Sequence, residues 1–225
     1  MLVPVDVAAP HPNPLPVECR NGVRGLPSPS ISEPLCYPSP MTALPKHKMT
    51  VAEFVPWAMS QASGRYELVG GEVVAQASER ARHNLVKLAV ARALQDAIKK
   101  AKLTCTVFTD GMTVKIDDHT AREPDASVQC GGKVDPEMIV LDAPLIVVEV
   151  ISPSSEKDDS STKLAEYFSV PSIRHYLIVD AGKRVIIHHA RGAGSDIATR
   201  LHTSGEIILD PPGAVLQVAD VLAVD

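Results

Sequence analysis

The sequence predicts a domain of the α/β (α+β) class, and three patterns among its 225 residues carry that prediction. Residues 145–151 are almost all apolar, which is typical of a central strand buried on both faces. Apolar residues recur at helical spacing between positions 78 and 101, so a long amphipathic helix is expected there. Alternating runs that resemble strands flank the turn signals Gly70-Gly71 and Asp110-Gly111.

Local signals place the elements of the first half. Thr50 and Glu53 have the spacing of a capping box, so a short helix begins there, and Pro56 is expected to kink or shorten it. Hairpins are predicted over residues 66–74 and over 104–116, each around its glycine turn. On the long helix, polar residues opposite the apolar stripe predict a solvated face: Lys87, Gln95, Lys99 and Lys102.

The second half is predicted in the same way. Its elements are a strand at 125–130 led by Pro124, the apolar strand at 145–151, a helix at 160–168, strands at 174–179 and 184–189 joined by a turn, and short terminal strands or a helix turn up to residue 225. Strands and helices therefore alternate over most of this region.

Prolines divide the chain into two segments. Eleven of the 19 prolines lie in residues 1–45, a density that prevents helices and interior strands. We predict a disordered tail of polyproline character over residues 1–45 and a single domain over residues 46–225. The start of the chain lacks a basic region and is broken by Pro4, which argues against a signal peptide. Translation from Met41 or Met49 is an alternative explanation of the tail.

Composition excludes several classes of protein. The formal net charge is −5, which argues against a polybasic nucleic-acid coat protein. The mean hydropathy is +0.05 and no apolar run reaches membrane-spanning length. The four cysteines form no CxxC pair and no zinc-finger spacing, so reduced thiols in a cytoplasmic protein are expected.

Glu149 is the residue whose position most requires explanation. It lies inside the apolar strand at 145–151, where an ionised carboxylate without a partner costs several kcal/mol to bury. An ion pair, a hydrogen-bond cluster or a metal ion could compensate it, and for one lone glutamate the ion pair is the usual case. Three neighbouring features favour a metal: Asp125 begins another strand, Glu67 lies in the first hairpin, and Lys163 lies in the helix that follows.

Two or three carboxylates and a lysine on adjacent elements are the groups that metal-assisted phosphodiester hydrolysis requires. Hard oxygen ligands hold Mg²⁺ or Mn²⁺, and the metal neutralises the phosphate and lowers the pKa of a bound water. A lysine near the attacking water orients it or stabilises the developing charge. We therefore expect Asp125 and Glu149, with Glu67 as a third candidate, to ligate Mg²⁺ (or Mn²⁺), and Lys163 to be the positioning cation.

Several stretches, taken in order, resemble the Uma-type family of putative restriction endonucleases in the PD-(D/E)xK nuclease superfamily. The segment EVISPSS at 149–155, followed by Asp158, Lys163 and Tyr167, is the strongest match. The other matching stretches are 49–54, 65–74, His83, 123–125 and 175–180. The resemblance covers about residues 49 to 190.

The resemblance implies a restriction-endonuclease-like core, in which a mixed central β-sheet is flanked by helices. It also implies a hydrolase, namely a Mg²⁺- or Mn²⁺-dependent endodeoxyribonuclease. In the superfamily the lysine normally lies two residues after the acidic residue, on the same face of the strand, and here that position is Ile151. Lys163 on the next helix resembles a migrated lysine, an arrangement that Uma-type sequences share.

Four more residues are candidates for lining the expected site, and three of them also have a purely structural explanation. Asp158 is equally well explained as a helix cap and as a site residue. Tyr167 follows Lys163 by four residues, so it lines the site or only packs over the lysine. His83 is either a surface histidine or a contact to the phosphate. Ser152, next to the acidic strand, is grouped with them as a candidate lining residue.

Two functions from different classes remain open. The first is a metal-dependent DNA endonuclease, and the second is a catalytically inactive nuclease-fold protein that binds nucleic acid or a protein partner. The net charge of −4 over residues 46–225 slightly favours the second, because phosphate contacts need Lys and Arg. The presence of Asp125, Glu149 and Lys163 together favours the first, which we adopt. DNA is then the expected partner, no membrane is involved, and a homodimer is left open.

Removing residues 1–45 should leave the melting temperature almost unchanged, because a proline-rich tail buries little apolar area. Thermal unfolding of the full chain and of the truncated chain checks this expectation. A large fall in melting temperature on truncation would show that the segment packs on the domain.

Overall fold

The computed structural model describes residues 44–151 and 160–223. Except for its last two positions, the predicted tail over residues 1–45 lies outside the described residues, and so do Ser152 and Asp158. In chain order the elements are α1 (Val51–Met59), β1 (Tyr66–Val69), β2 (Glu72–Ala75), α2 (Ala81–Lys100), β3 (Cys105–Thr109), β4 (Val114–Lys115), β5 (Ala121–Arg122), β6 (Ala126–Cys130), β7 (Pro144–Val150), α3 (Ser160–Ser169), β8 (His175–Asp180), β9 (Val185–Arg191), β10 (Ile197–His202), β11 (Glu206–Leu209), β12 (Ala214–Gln217) and α4 (Val218–Leu222).

A six-stranded sheet forms the centre of the domain, with the strand order β10-β9-β8-β7-β6-β3. Strands β7 and β8 run parallel, with α3 between them in the chain, and the other neighbouring pairs are antiparallel. The sheet is therefore mixed, as predicted. The apolar strand at 145–151 is interior, which explains why its side chains are apolar on both faces.

The two faces of this sheet carry separate hydrophobic cores. Because side chains alternate along a strand, Val148 faces α2 and packs in one cluster with Leu94. Val147 faces the other way and packs with Tyr167 of α3 and with Ile178 of β8. The sheet is thus covered by a helix on each face, and both cores meet at β7.

Helix α2 has the amphipathic pattern that the sequence predicts, with Val86, Val90 and Leu94 among its buried residues. It begins at Ala81, whereas the sequence predicts a start directly after Ser78. Among the described residues, neither α2 nor any other helix is long and apolar enough to cross a membrane.

A second sheet of four short strands has the order β2-β1-β5-β4 and packs with α1. Strands β1 and β2 form the predicted hairpin, and their turn is Gly70-Gly71, with φ of 56° and 87°. Glycine adopts this left-handed region without steric cost, so the dipeptide determines where the chain reverses. The predicted capping box of α1 is present, and Pro56 lies inside that helix.

The prediction of a second hairpin over residues 104–116 is wrong. Strand β3 pairs with β6 in the large sheet, whereas β4 pairs with β5 in the small sheet. Asp110-Gly111 therefore connects the two sheets. A turn signal shows that the chain bends, but the partner of each strand depends on long-range packing, and here that packing separates the two strands.

Cys105 and Cys130 form a disulfide, so the expectation of four reduced thiols is wrong for this pair. The two residues are directly opposite in the antiparallel register of β3 and β6. Directly opposite side chains on neighbouring strands lie close together, which explains how residues 25 positions apart can be bonded without a CxxC motif.

Thr50→Ala should lower the free energy of unfolding by about 1 kcal/mol, because it removes the hydroxyl that accepts from the Glu53 amide at the start of α1. Urea denaturation measures the change. Glu53→Gln is the matched control, because glutamine keeps the reciprocal hydrogen bond of a capping box, and it should have little effect. Equal losses for the two variants would contradict this account.

Candidate active site

Two buried carboxylates face each other across the central strands. Ala126 of β6 pairs with Val148 of β7, and continuing this antiparallel register by one residue places Asp125 opposite Glu149. Their exposed fractions are only 7% and 9%. The Val150 amide donates a hydrogen bond of 2.6 Å to Asp125 Oδ2, which fixes this carboxylate just before the start of β6. The two acidic residues selected from the sequence are therefore neighbours.

Helix α3 supplies the partners of Glu149. Lys163 Nζ lies 3.1 Å from Glu149 Oε1, and the Tyr167 hydroxyl donates to the same oxygen at 2.6 Å. Lys163 and Tyr167 are four residues apart, so both reach the strand from one face of the helix. The structure thus brings three of the sequence-predicted residues together at one oxygen atom.

Burial raises the pKa of Glu149 to about 7. The Lys163 ammonium and the Tyr167 hydroxyl lower the pKa, while the negative charges of Asp125 and Glu67 raise it further. Burial and the charge of Glu149 hold the pKa of Tyr167 well above its ordinary value, so this phenol keeps its proton and donates. The described groups around Glu149 therefore favour its protonated form up to a higher pH than water does.

Lys87 of α2 lies on the other side of Asp125, and the prediction that it belongs to a solvated face is wrong. Its side chain is 5% exposed, and Nζ lies 2.9 Å from Asp125 Oδ1, 2.7 Å from Glu79 Oε1 and 2.8 Å from Asp110 Oδ2. Burial lowers the pKa of Lys87, but the hydrogen bonds to Asp110 and Glu79 and the charge of Asp125 more than reverse that effect. Lys87 is therefore a buried ammonium.

Arg65 extends this ion network towards the small sheet. It contacts Asp110 and lies 3.0 Å from Glu123 Oε2 and 3.4 Å from Glu79 Oε1. Lys87 and Arg65 thus share two carboxylates, Glu79 and Asp110. The network links α2, the segment after β3 and the residue that precedes Pro124.

Glu67 is held by a different cation. Arg122 Nη1 lies 3.1 Å from Glu67 Oε2, and the Glu123 amide donates to Glu67 Oε1 at 3.0 Å. The same guanidinium binds Glu166 of α3 through Nε and Nη2, at 2.7 Å and 3.0 Å. Burial lowers the pKa of Arg122, but Glu166 and Glu67 raise it above its ordinary value, so the residue stays charged. Arg122 therefore ties β1 and β5 to α3.

His83 lies beside Asp125, on the turn of α2 before Lys87. Its Nε2 atom is 3.8 Å from Asp125 Oδ2 and 3.9 Å from Glu79 Oε1. Within the described part of the chain, Glu79, His83 and Asp125 are the group of potential metal ligands whose donor atoms all lie within 4.8 Å of one another. Ile151 packs on the α3 face, as its spacing from Glu149 predicts. No position is described for Ser152 or Asp158.

Sequence reasoning did not find one half of this site. Glu79, Asp110 and Lys87 lie on a loop, a sheet connection and a helix, and each of them looks like an ordinary surface residue in its own segment. Only Lys87 left a weak signal, because it lies between Val86 and Val90 close to the buried stripe of α2. Glu149 was found because a carboxylate within an apolar strand is rare.

The mixed sheet, the helix on each face and the paired acidic residues define the restriction-endonuclease-like fold class. The chain belongs to the family described as "Uma2: Putative restriction endonuclease", whose profile matches residues 51–223. The resemblance carried by the segment at 149–155 is thereby confirmed.

Two further proteins are similar to this chain. "Uncharacterized protein slr1290" of Synechocystis sp. (strain PCC 6803) is 22% identical over 179 residues, which cover 78% of this chain and 90% of that protein. A crystal structure from Anabaena variabilis, described as a putative nuclease belonging to DUF820, has a TM-score of 0.60 at 13% identity. It covers 78% of this chain and 98% of its own, and at this identity it shows a shared fold.

The pKa of Glu149 predicts how stability depends on pH without metal. The folded-state pKa of about 7 lies above the ordinary value of 4.5. The contribution of Glu149 to the free energy of unfolding is therefore complete below pH 4.5 and is lost as pH rises through 7. Glu149→Gln removes that loss. Between pH 5 and 7 the free energy of unfolding of Glu149→Gln should therefore rise relative to that of the parent by up to about 1.4 kcal/mol per pH unit.

Urea denaturation in EDTA at several pH values measures this difference. Glu137→Gln is the matched control, because Glu137 is an exposed glutamate outside the strands, and its profile should follow that of the parent. A Glu149→Gln profile parallel to that of the parent would show that the carboxylate is fully compensated by Lys163 and Tyr167.

Proposed function

We propose that this protein is a cytoplasmic, divalent-metal-dependent endonuclease that hydrolyses phosphodiester bonds in DNA. The observation that carries the proposal is the pair of buried, facing carboxylates of Asp125 and Glu149 with a lysine at one of them. Membership of a family described as restriction endonucleases supports the reaction, and the nuclease-described structure from Anabaena variabilis shares the fold.

The donor set fits Mg²⁺ or Mn²⁺, because both are hard cations that prefer carboxylate oxygens. Asp125 and Glu149 repel each other, and this repulsion contributes to the raised pKa of Glu149. In the described part of the chain, the ion pairs around the site join seven carboxylates to four basic side chains. The carboxylates are those of Glu67, Glu79, Asp110, Glu123, Asp125, Glu149 and Glu166, and the basic side chains are those of Arg65, Lys87, Arg122 and Lys163. This excess of negative charge favours a divalent cation.

Asp125 and Glu149 would hold the metal, which when bound supplies charge neutralisation at the phosphate and a more acidic water. The Val150 amide orients Asp125, and the Tyr167 hydroxyl orients Glu149. Lys163, at 3.1 Å from Glu149, is placed to orient the attacking water or to contact the phosphate.

Glu67 has a different part in this proposal. Both of its oxygens accept hydrogen bonds from the protein, one from Arg122 and one from the Glu123 amide. These contacts hold Glu67 as a fixed negative charge that raises the pKa of Glu149, and Glu67 stays the third candidate ligand. His83 is 3.8 Å from Asp125 and is proposed to line the site on the side of α2.

Purified protein should nick supercoiled plasmid DNA with Mg²⁺ or Mn²⁺ but not with EDTA. Asp125→Asn and Lys163→Met should each reduce the nicking rate by ~10²–10³-fold, because each removes an interaction made at the reacting phosphate. The parent should also gain thermal stability on addition of Mn²⁺, by mass action on the folded state, and Asp125→Asn should lose that gain.

The matched control is Asp142→Asn, an exposed residue just before β7, which should keep both activity and the response to Mn²⁺. Binding of DNA without cleavage under every metal condition would instead identify a catalytically inactive nuclease-fold protein. Equal nicking by the parent and Asp125→Asn would reject the site.

A further inference from the structure

The ammonium of Lys87 is enclosed by three carboxylates. Glu79 Oε1, Asp110 Oδ2 and Asp125 Oδ1 lie 2.7 Å, 2.8 Å and 2.9 Å from Nζ, and the lysine side chain is 5% exposed. The ammonium donates hydrogen bonds to Glu79 and Asp110, and Asp125 adds an ion pair. Lys87 is therefore held by the protein as a fixed, buried charge.

A divalent cation would use many of the same atoms. Glu79, His83 and Asp125 present donor atoms within 4.8 Å of one another, and Lys87 contacts two of these three residues. Nucleases with two metal ions hold them about 4 Å apart, with the reacting phosphate between them. In this chain the outer side of Asp125, facing α2, already has a charge of +1 from a side chain.

We propose that Lys87 fills the place of a second divalent cation, so that the site takes one metal ion at Asp125 and Glu149. This inference rests on the proposed nuclease function. Asp125 lies between the two charges: its Oδ1 atom faces Lys87, and its Oδ2 atom accepts from the Val150 amide next to Glu149. The lysine therefore neutralises Asp125 at its Oδ1 atom, and one metal ion is left to act at the phosphate.

Counting bound Mn²⁺ tests the proposal without measuring cleavage. Free Mn²⁺ is followed by electron paramagnetic resonance while each protein is titrated at pH 8, where Glu149 is ionised. The parent should bind one equivalent tightly. Lys87→Met keeps the length of the side chain but removes the charge, and it should bind two. Lys100→Met, an exposed residue of the same helix, is the control and should bind one.

Thermal unfolding gives a second measurement. Lys87→Met leaves three carboxylates without their shared cation, so in EDTA it should melt below the parent, and Mn²⁺ should raise its melting temperature by more than it raises that of the parent. If that variant does not fold, Lys87→Met combined with Asp110→Asn removes one negative charge and keeps an oxygen ligand. The double variant should also gain one equivalent of Mn²⁺.

The outcomes separate this inference from the proposed function. Two equivalents in the parent, or no additional equivalent in either Lys87 variant, would overturn the assignment of Lys87. A parent that binds no Mn²⁺ would reject the metal-dependent nuclease. In that case one equivalent gained by the Lys87 variants would still show that the ammonium occupies a cation position.

Discussion

The buried carboxylate of Glu149 is the constraint on which the rest of the site depends. It lies within an interior strand, where its ionised form is costly unless other groups approach it. Those groups are Lys163 and Tyr167, which both come from α3, whereas the charge of Asp125 beside β7 raises the cost. The parallel crossover from β7 through α3 to β8 brings the helix over the strand, so the topology and the chemistry are determined together.

Ion pairs join the small sheet to this centre, in addition to the apolar packing of Val114 on β4 with Val147 and Tyr167. Arg122 on β5 binds Glu67 on β1 and Glu166 on α3, and Arg65 binds Glu79 on the far side. Buried pairs of this kind are costly to break, because removal of one partner leaves an uncompensated charge. They also restrict the relative orientation of the elements that they join, because a bidentate guanidinium–carboxylate pair allows few geometries. The position of the small sheet beside the carboxylates is thereby fixed.

Prediction from the sequence succeeded where the signal is local. The capping box at Thr50, the Gly70-Gly71 turn and the apolar strand at 145–151 each depend on residues close in the chain, and the structure contains all three. Asp110-Gly111 has an equally good turn signal, yet β3 and β4 enter different sheets, because strand partners depend on contacts far apart in sequence. The burial of Lys87 could not be predicted for the same reason, since its three carboxylate partners come from separate segments.

The two lysines at the site approach it from opposite faces of the sheet. Lys87 approaches Asp125 from α2 and forms ion pairs with three carboxylates, so its charge is neutralised within the protein. Lys163 approaches from α3, on the other face of the sheet, and shares Glu149 Oε1 with a protonated tyrosine. A sheet with one helix on each face therefore brings one lysine to each of the two neighbouring carboxylates, Lys87 to Asp125 and Lys163 to Glu149.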